Sequence, residues 1–230
     1  MKNRNKIILL ILLLILPPFI ILLSRHFFSS NYFFSSIYKI IFLFPLFFRL
    51  FIEKKTLKQS FAQDFSLERL KKNIFPMIIT GIVLVGVYLS SFFIFKNSLD
   101  LSLIATKLQG LISLNPSNLI FIGLYIIIVN SLLEEYFWRG FMFQELRNIV
   151  KPWLAYALTG IAFSFHHVMF YYNWFNLTFF LVVTIGLILY AVIMNFLLER
   201  YRDLFSCWIV HAFVDVVQIF IAFQIFKLTL

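Results

Sequence analysis

Long apolar runs separated by short basic segments set the pattern of this chain. A half-buried strand alternates and a surface helix shows one apolar face, but these runs are apolar on every side. Such runs are membrane spans or fully buried helices. Several reach or approach the roughly 20 residues that cross the hydrocarbon core of a bilayer. The pattern predicts about seven spans, over 7–23, 33–52, 74–95, 118–143, 153–171, 175–198 and 206–226. The fourth is expected to run on towards residue 147. All should be helical, because a single chain in lipid must satisfy its backbone internally. The expected fold class is thus an all-α, polytopic transmembrane helical bundle.

The opening stretch MKNRNKIILLILLLILPPFIILL looks at first like a signal peptide. Its apolar part is too long and no small-x-small site follows, so it is expected to stay as a first span, kinked at Pro17-Pro18. Two connections are long. Residues 53–73 are basic and weakly amphipathic, which predicts a segment lying on the inner membrane surface. Residues 96–117 contain LSLIATKLQGLISL, expected as an interfacial or re-entrant helix.

Composition agrees with the pattern: 62% of residues are hydrophobic and 13% charged. The net charge of +10 would suit a nucleic-acid binder, but its placement reads as topology. With the N-terminus inside, fourteen of the 20 Lys and Arg fall on inner segments and four, Arg25, Lys96, Lys107 and Lys227, outside. The other two, Lys39 and Arg49, fall within the second span and are expected to snorkel to its surfaces. The partners implied are therefore a lipid bilayer and no nucleic acid. The single cysteine, Cys207, excludes an intrachain disulfide and reads as a small apolar residue. The 32 Phe read as lipid-facing and core bulk.

Against this background, ionisable residues inside spans are costly, and each is a functional hypothesis. They gather in three spans: Glu134, Glu135 and Arg139 in the fourth, His166 and His167 in the fifth, His211 and Asp215 in the seventh. Glu135 and Arg139 are four apart with the acid N-terminal, so they should pair. Glu134 lies about 140° around the helix from Arg139 and has no such partner, which makes it the candidate general base. Phe163 and His167 share a face, with His166 about 100° away. His211 and Asp215 also share a face, so that Asp215 could accept the imidazole N–H and fix its tautomer. Taken singly, each pair could be structural. Three pairs from three spans point to one polar cavity, and a carboxylate, two imidazoles and a water make a hydrolytic site.

In order along the chain, Glu134-Glu135-x-x-x-Arg139, Phe163-x-x-x-His167 and His211-x-x-x-Asp215 resemble the EExxxR, FxxxH and HxxxN/D motifs of the CPBP family. That family includes the Ras-converting type of CAAX prenyl endopeptidase and bacterial relatives linked to bacteriocin immunity and abortive infection. The resemblance covers roughly 118–226 and implies an intramembrane endopeptidase. It divides the chain into N-terminal spans and interfacial segments over 1–117 and a catalytic transmembrane core over 118–230. It gives Glu134 and His167 the activation of water and His211 the stabilisation of the oxyanion, with Glu135, Arg139 and Phe163 in support. Many members carry asparagine at position 215. An ionised Asp215 cannot donate to an oxyanion, so it must be protonated, orient His211 or bind a metal.

The family is described both as metalloprotease-like and as glutamate-dependent. Glu134, His167 and His211 could form a three-ligand zinc site with an open position, although no HExxH is present. No cofactor is favoured, and the metal-independent version is preferred. The substrate implied is a membrane-associated peptide or protein, and the short chain suggests a bacterial cytoplasmic membrane. Two other functions use the same residues: a proton-coupled transporter, and a catalytically inactive immunity or interaction protein. No repeat or paired broken helices support the first, and the intact motif set argues against the second.

Overall fold

The computed structural model describes residues 3–28, 37–112 and 114–229. Lys2 and residues 33–36 of the expected second span lie outside the described residues, as does the side chain of Arg25. Every regular element among the described residues is helical. The long helices are α1 (Asn3–Phe28), α2 (Leu67–Phe95), α3 (Leu101–Ile112), α4 (Leu119–Arg147), α5 (Pro152–Tyr171), α6 (Leu177–Tyr201) and α7 (Leu204–Thr229). Five stretches are long and apolar enough to cross a membrane: Arg4–Leu23, Leu57–Ser98, Leu119–Arg147, Leu177–Tyr201 and Leu204–Thr229. The remaining two expected spans are less regular or more polar. Residues 37–52 form a chain of short 3₁₀, α and π turns, Ile37–Leu43, Phe44–Phe47 and Phe48–Ile52. Helix α5 has 20 residues, but Thr159, Ser164, His166 and His167 dilute its apolar character.

Local chemistry sets the helix ends. The Ser66 hydroxyl accepts from Arg69 N at 3.3 Å and starts α2. Pro152 opens α5, where its missing N–H costs nothing. Asn176 caps α6 by accepting from Phe179 N at 3.0 Å. Arg202 ends α6 in the left-handed conformation, with φ 51°.

Helix α7 lies along α2, α5 along α6, and α1 crosses α5. The first contact depends on a glycine: a Cβ on Gly81 would sit 2.7 Å from the ring of Phe213. That close approach brings the flanking residues of α7, His211 and Asp215, into the bundle. One apolar core surrounds the middle of the bundle and draws on both parts of the chain, with Leu10, Phe42, Met77, Phe137, Phe163 and Val210 all buried in it. A second, smaller one joins Phe92, Ile104, Leu108, Trp174 and Phe226. Here α3 buries Ile104, Ala105 and Leu108 and packs on α7. Much of the exterior is bare hydrocarbon, including Phe75, Ile94, Phe121 and Leu177. So apolar a surface suits lipid, and the protein is an integral membrane protein.

Two expectations for the N-terminal part need correction. Lys39 and Arg49 do not snorkel; they are 8% and 2% exposed. Arg49 is held inside because its guanidinium finds more acceptors there than at the surface. It donates to Ser60 O at 3.1 Å, Tyr136 Oη at 3.0 Å and Gly140 O at 2.7 Å, and forms an ion pair with Asp64. The 53–73 connection is correspondingly more than a surface strap. Its short helix Leu57–Ala62 starts at a capping box of Thr56 and Gln59, and Ser60 and Asp64 are buried.

Candidate active site

Helix α4 carries the acids on a central α-helical stretch, Ser131–Phe137, between two π-helical stretches, Ile126–Asn130 and Trp138–Phe143. A π turn rotates the register of the residues after it, and such turns recur at functional sites. Here Glu134, Glu135 and Arg139 are all buried, with exposures of 4%, 0% and 1%.

The expected Glu135–Arg139 pair forms, with Arg139 Nη1 donating to Glu135 Oε1 at 3.0 Å. The same carboxylate oxygen accepts from His211 Nδ1 at 2.7 Å. That second contact differs from the expectation that Asp215 fixes the His211 tautomer. Asp215 Oδ1 lies 3.7 Å from the other ring nitrogen, Nε2. Glu135 therefore orients the imidazole, and Nε2 is the atom directed towards Glu134 Oε2, 4.0 Å away. The second histidine is fixed in the same sense. His167 Nδ1 lies 2.9 Å from the carbonyl of Phe163, which can only accept, so Nδ1 carries the proton. Its Nε2 is turned to Glu134 Oε2 at 3.4 Å.

Glu134 also has a sequence-local partner that the motif reading missed: Asn130 Nδ2 donates to its Oε1 at 2.8 Å. Asn130 and Glu134 are four apart, and that spacing was the available signal. Glu134 is thereby held by one oxygen, while Oε2 has no hydrogen-bond donor among the described residues. Phe163 forms the apolar floor. The Arg139 guanidinium lies 4.2 Å from its ring centre, and the His167 ring is also 4.2 Å away. Tyr190, which no sequence pattern singled out, packs edge-on against His211 at 5.7 Å.

His166 packs into the core, yet one of its ring nitrogens comes within 4.8 Å of ligand atoms of Glu134 and His167. It is 1% exposed and packs edge-on against Phe42 at 5.3 Å and beside Trp138 at 5.9 Å. Lys39 stands on the same side, its ammonium 5.2 Å from the Tyr125 ring centre and within electrostatic range of Glu134 and Asp215. The structure thus brings Glu134, Glu135, Arg139, Phe163, His167, His211 and Asp215 together, with His166 beside Glu134 and His167.

The donor set also fits a metal. Glu134, His166 and His167 each offer a ligand atom within 4.8 Å of the others, whereas the expected third ligand was His211. The 3.4 Å between Glu134 Oε2 and His167 Nε2 is close to the edge of a tetrahedral zinc site with bonds of about 2.0–2.1 Å. Glu134 and His167 would be common to either set.

Residues 116–217 match the model of the family described as type II CAAX prenyl endopeptidase Rce1-like. The match spans all three motifs and agrees with the CPBP resemblance drawn from them. It supports an intramembrane peptidase. No curated protein and no solved structure matches the chain.

Proposed function

We propose that the protein is an intramembrane endopeptidase in which Glu134 activates water against a peptide bond. The observation that carries this reading is the convergence of Glu134 Oε2, His167 Nε2 and His211 Nε2 in a buried site, with Oε2 left without a donor. A carboxylate held by one oxygen and open at the other suits a general base. Water donates one hydrogen to Glu134 Oε2 and the other to His167 Nε2, whose lone pair is exposed because Nδ1–H is committed to Phe163 O. Glu134 takes a proton as the water oxygen bonds to the scissile carbonyl carbon. The carbonyl oxygen becomes an oxyanion, and protonated His211, held through Nδ1 by Glu135, donates to it from Nε2. The C–N bond then breaks, and the proton on Glu134 passes to the leaving amine. Arg139 and Phe163 keep Glu135 and His167 in place. Zinc, where bound, would rest on Glu134 and His167 with His166 or His211, and would supply a Lewis acid and a more acidic water.

The substrate class is a membrane-associated peptide or protein, and the bundle has about seven spans with its N-terminus inside, in a bacterial cytoplasmic membrane. The positive charges support that orientation. Lys58→Cys is exposed enough to label and should be protected from an impermeant reagent in intact cells, whereas outside labelling would invert the topology.

Peptide termini in membranes from cells carrying wild type or Glu134→Gln test the function. New termini should depend on Glu134. Identical membrane peptidomes, with the variant expressed and inserted as wild type, would remove the peptidase reading. Buried Glu–His pairs also serve proton relays, but no observation favours that use here.

A further inference from the structure

A cavity of about 600 Å³ opens where the start of α2 meets the ends of α4 and α6, away from the Glu134 site. Arg69, Arg147 and Arg202, from three different parts of the chain, line it together with Asp64 and Glu199. Both carboxylates are already committed. Asp64 pairs with Arg49 and accepts from Gln144 Nε2 at 3.1 Å. Glu199 pairs with Arg147 and accepts from Tyr156 Oη at 2.7 Å. Among the described residues, neither forms an ion pair with Arg69 or Arg202. The Nε of Arg69 is buried with no hydrogen-bond partner among the described residues.

A buried guanidinium N–H without an acceptor is unfavourable, and the remedy is an oxyanion that fits the planar fork of arginine. The surroundings say what carries that anion. Leu67, two residues before Arg69, is exposed and apolar, as are Phe61 and Trp153. This end of the bundle also holds Lys58, Lys71, Lys72 and Lys151, the basic residues expected at the inner membrane surface. A charged pocket beside bare hydrocarbon suits a molecule with an anionic head and apolar tails.

We propose that this cavity is a phosphate site taken by the headgroup of an anionic phospholipid. Its wall continues into the active-site helix. Asp64 holds Arg49, and Arg49 donates to Tyr136 Oη and to Gly140 O on α4. A lipid seated on Arg69 and Arg202 would brace the segment that follows Glu134. The site stands whether or not the protein cleaves peptides.

Thermal unfolding of the purified full chain in a neutral detergent tests it, with short-chain phosphatidylglycerol, short-chain phosphatidylcholine or inorganic phosphate added. Phosphatidylglycerol should raise the midpoint by several degrees and phosphatidylcholine should not. In the double variant Arg69→Gln/Arg202→Gln the lipid-free midpoint should be unchanged and the shift lost. Arg202→Gln alone, at an exposed position, should fold normally and at least halve the phosphatidylglycerol retained in native mass spectra. Equal shifts from the two lipids, or a phosphatidylglycerol shift that survives in the double variant, would overturn the proposal. A shift from inorganic phosphate as large as that from phosphatidylglycerol would keep the phosphate chemistry and overturn the lipid as its source.

Discussion

Two buried arginine–carboxylate pairs meet helix α4, and they are built to opposite ends. Among the described residues, no buried side-chain donor or acceptor of Arg49 or Asp64 lacks a partner. The guanidinium donates to a carboxylate, two carbonyls and a phenol, and Asp64 takes a further bond from Gln144. Arg139 and Glu135 differ. Nε and Nη2 of Arg139, Oε2 of Glu135, Oε2 of Glu134 and Oδ2 of Asp215 all lack hydrogen-bond partners among the described residues. Buried polar groups are nearly always satisfied, and an unsatisfied cluster calls for an explanation other than stability. The first pair is a clamp. On the proposed function, the second belongs to a site whose donors and acceptors are kept for substrate and water.

The largest expected effects separate the two. Glu134→Gln removes the proposed base while keeping the side chain's shape and an acceptor for Asn130. Activity should fall by about 10²–10⁴-fold or more, with the thermal midpoint close to wild type. Arg49→Met should do the reverse. It strands Asp64 in a buried position, which costs about 3–5 kcal/mol, while activity per folded molecule should survive. Unfolding curves in detergent and cleavage assays on the same preparations measure both. A destabilised Glu134→Gln together with a stable Arg49→Met would erase the contrast.

Glu135→Gln should lie between these extremes, because its carboxylate serves both purposes. It pairs with Arg139 and orients His211 through the same oxygen. A neutral amide weakens both contacts, so stability should drop by about 3 kcal/mol and activity by at least tenfold. Loss of stability alone would make Glu135 a second clamp and leave His211 oriented by Asp215.

The same division separates the features legible in the sequence from those that were hidden. The i,i+4 pairs on single helices were legible, since helical spacing alone places Glu135 by Arg139 and Phe163 by His167. The membrane class was legible from run length. The Glu135–His211 bond was not, because 76 residues separate the partners and no local pattern encodes which faces of α4 and α7 meet. The Arg49–Asp64 clamp was hidden too, since a lysine or arginine near a span end reads as snorkelling until its acceptors are known. The stretch 33–52 read as one span, because an apolar run interrupted only by Lys39 and Arg49 has no period that would betray the short 3₁₀ and π turns of its described part. The π turns of α4 were hidden for the same reason.

A smaller contrast lies between the two adjacent histidines. His167→Ala should lower activity with little change in stability, since its Nε2 is directed to Glu134. His166→Ala leaves a hole between Phe42 and Trp138, and its first effect should be on the unfolding midpoint. Equal activity losses at equal stability would place both rings in the site, as the alternative metal set would require.

The smallest change is expected at Asp215. Its Oδ1 stands 3.7 Å from His211 Nε2, too far for a firm hydrogen bond, and Glu135 already fixes the ring. Asp215→Asn should therefore keep substantial activity. The asparagine amide can donate towards the oxyanion, and such a donor is typically worth about 2.7–4 kcal/mol, enough to offset the lost carboxylate. The opposite holds if Asp215 serves a metal, because a neutral amide is a poorer zinc ligand than a carboxylate. Purified wild type and Asp215→Asn should be assayed after exhaustive chelation, with and without added zinc. Chelation-resistant activity in both proteins would leave Glu134 as a base acting without metal. Loss on chelation with rescue by zinc would move Glu134 and His167 into the role of ligands. The orphaned atoms around Glu134 would then be the open side of a metal centre.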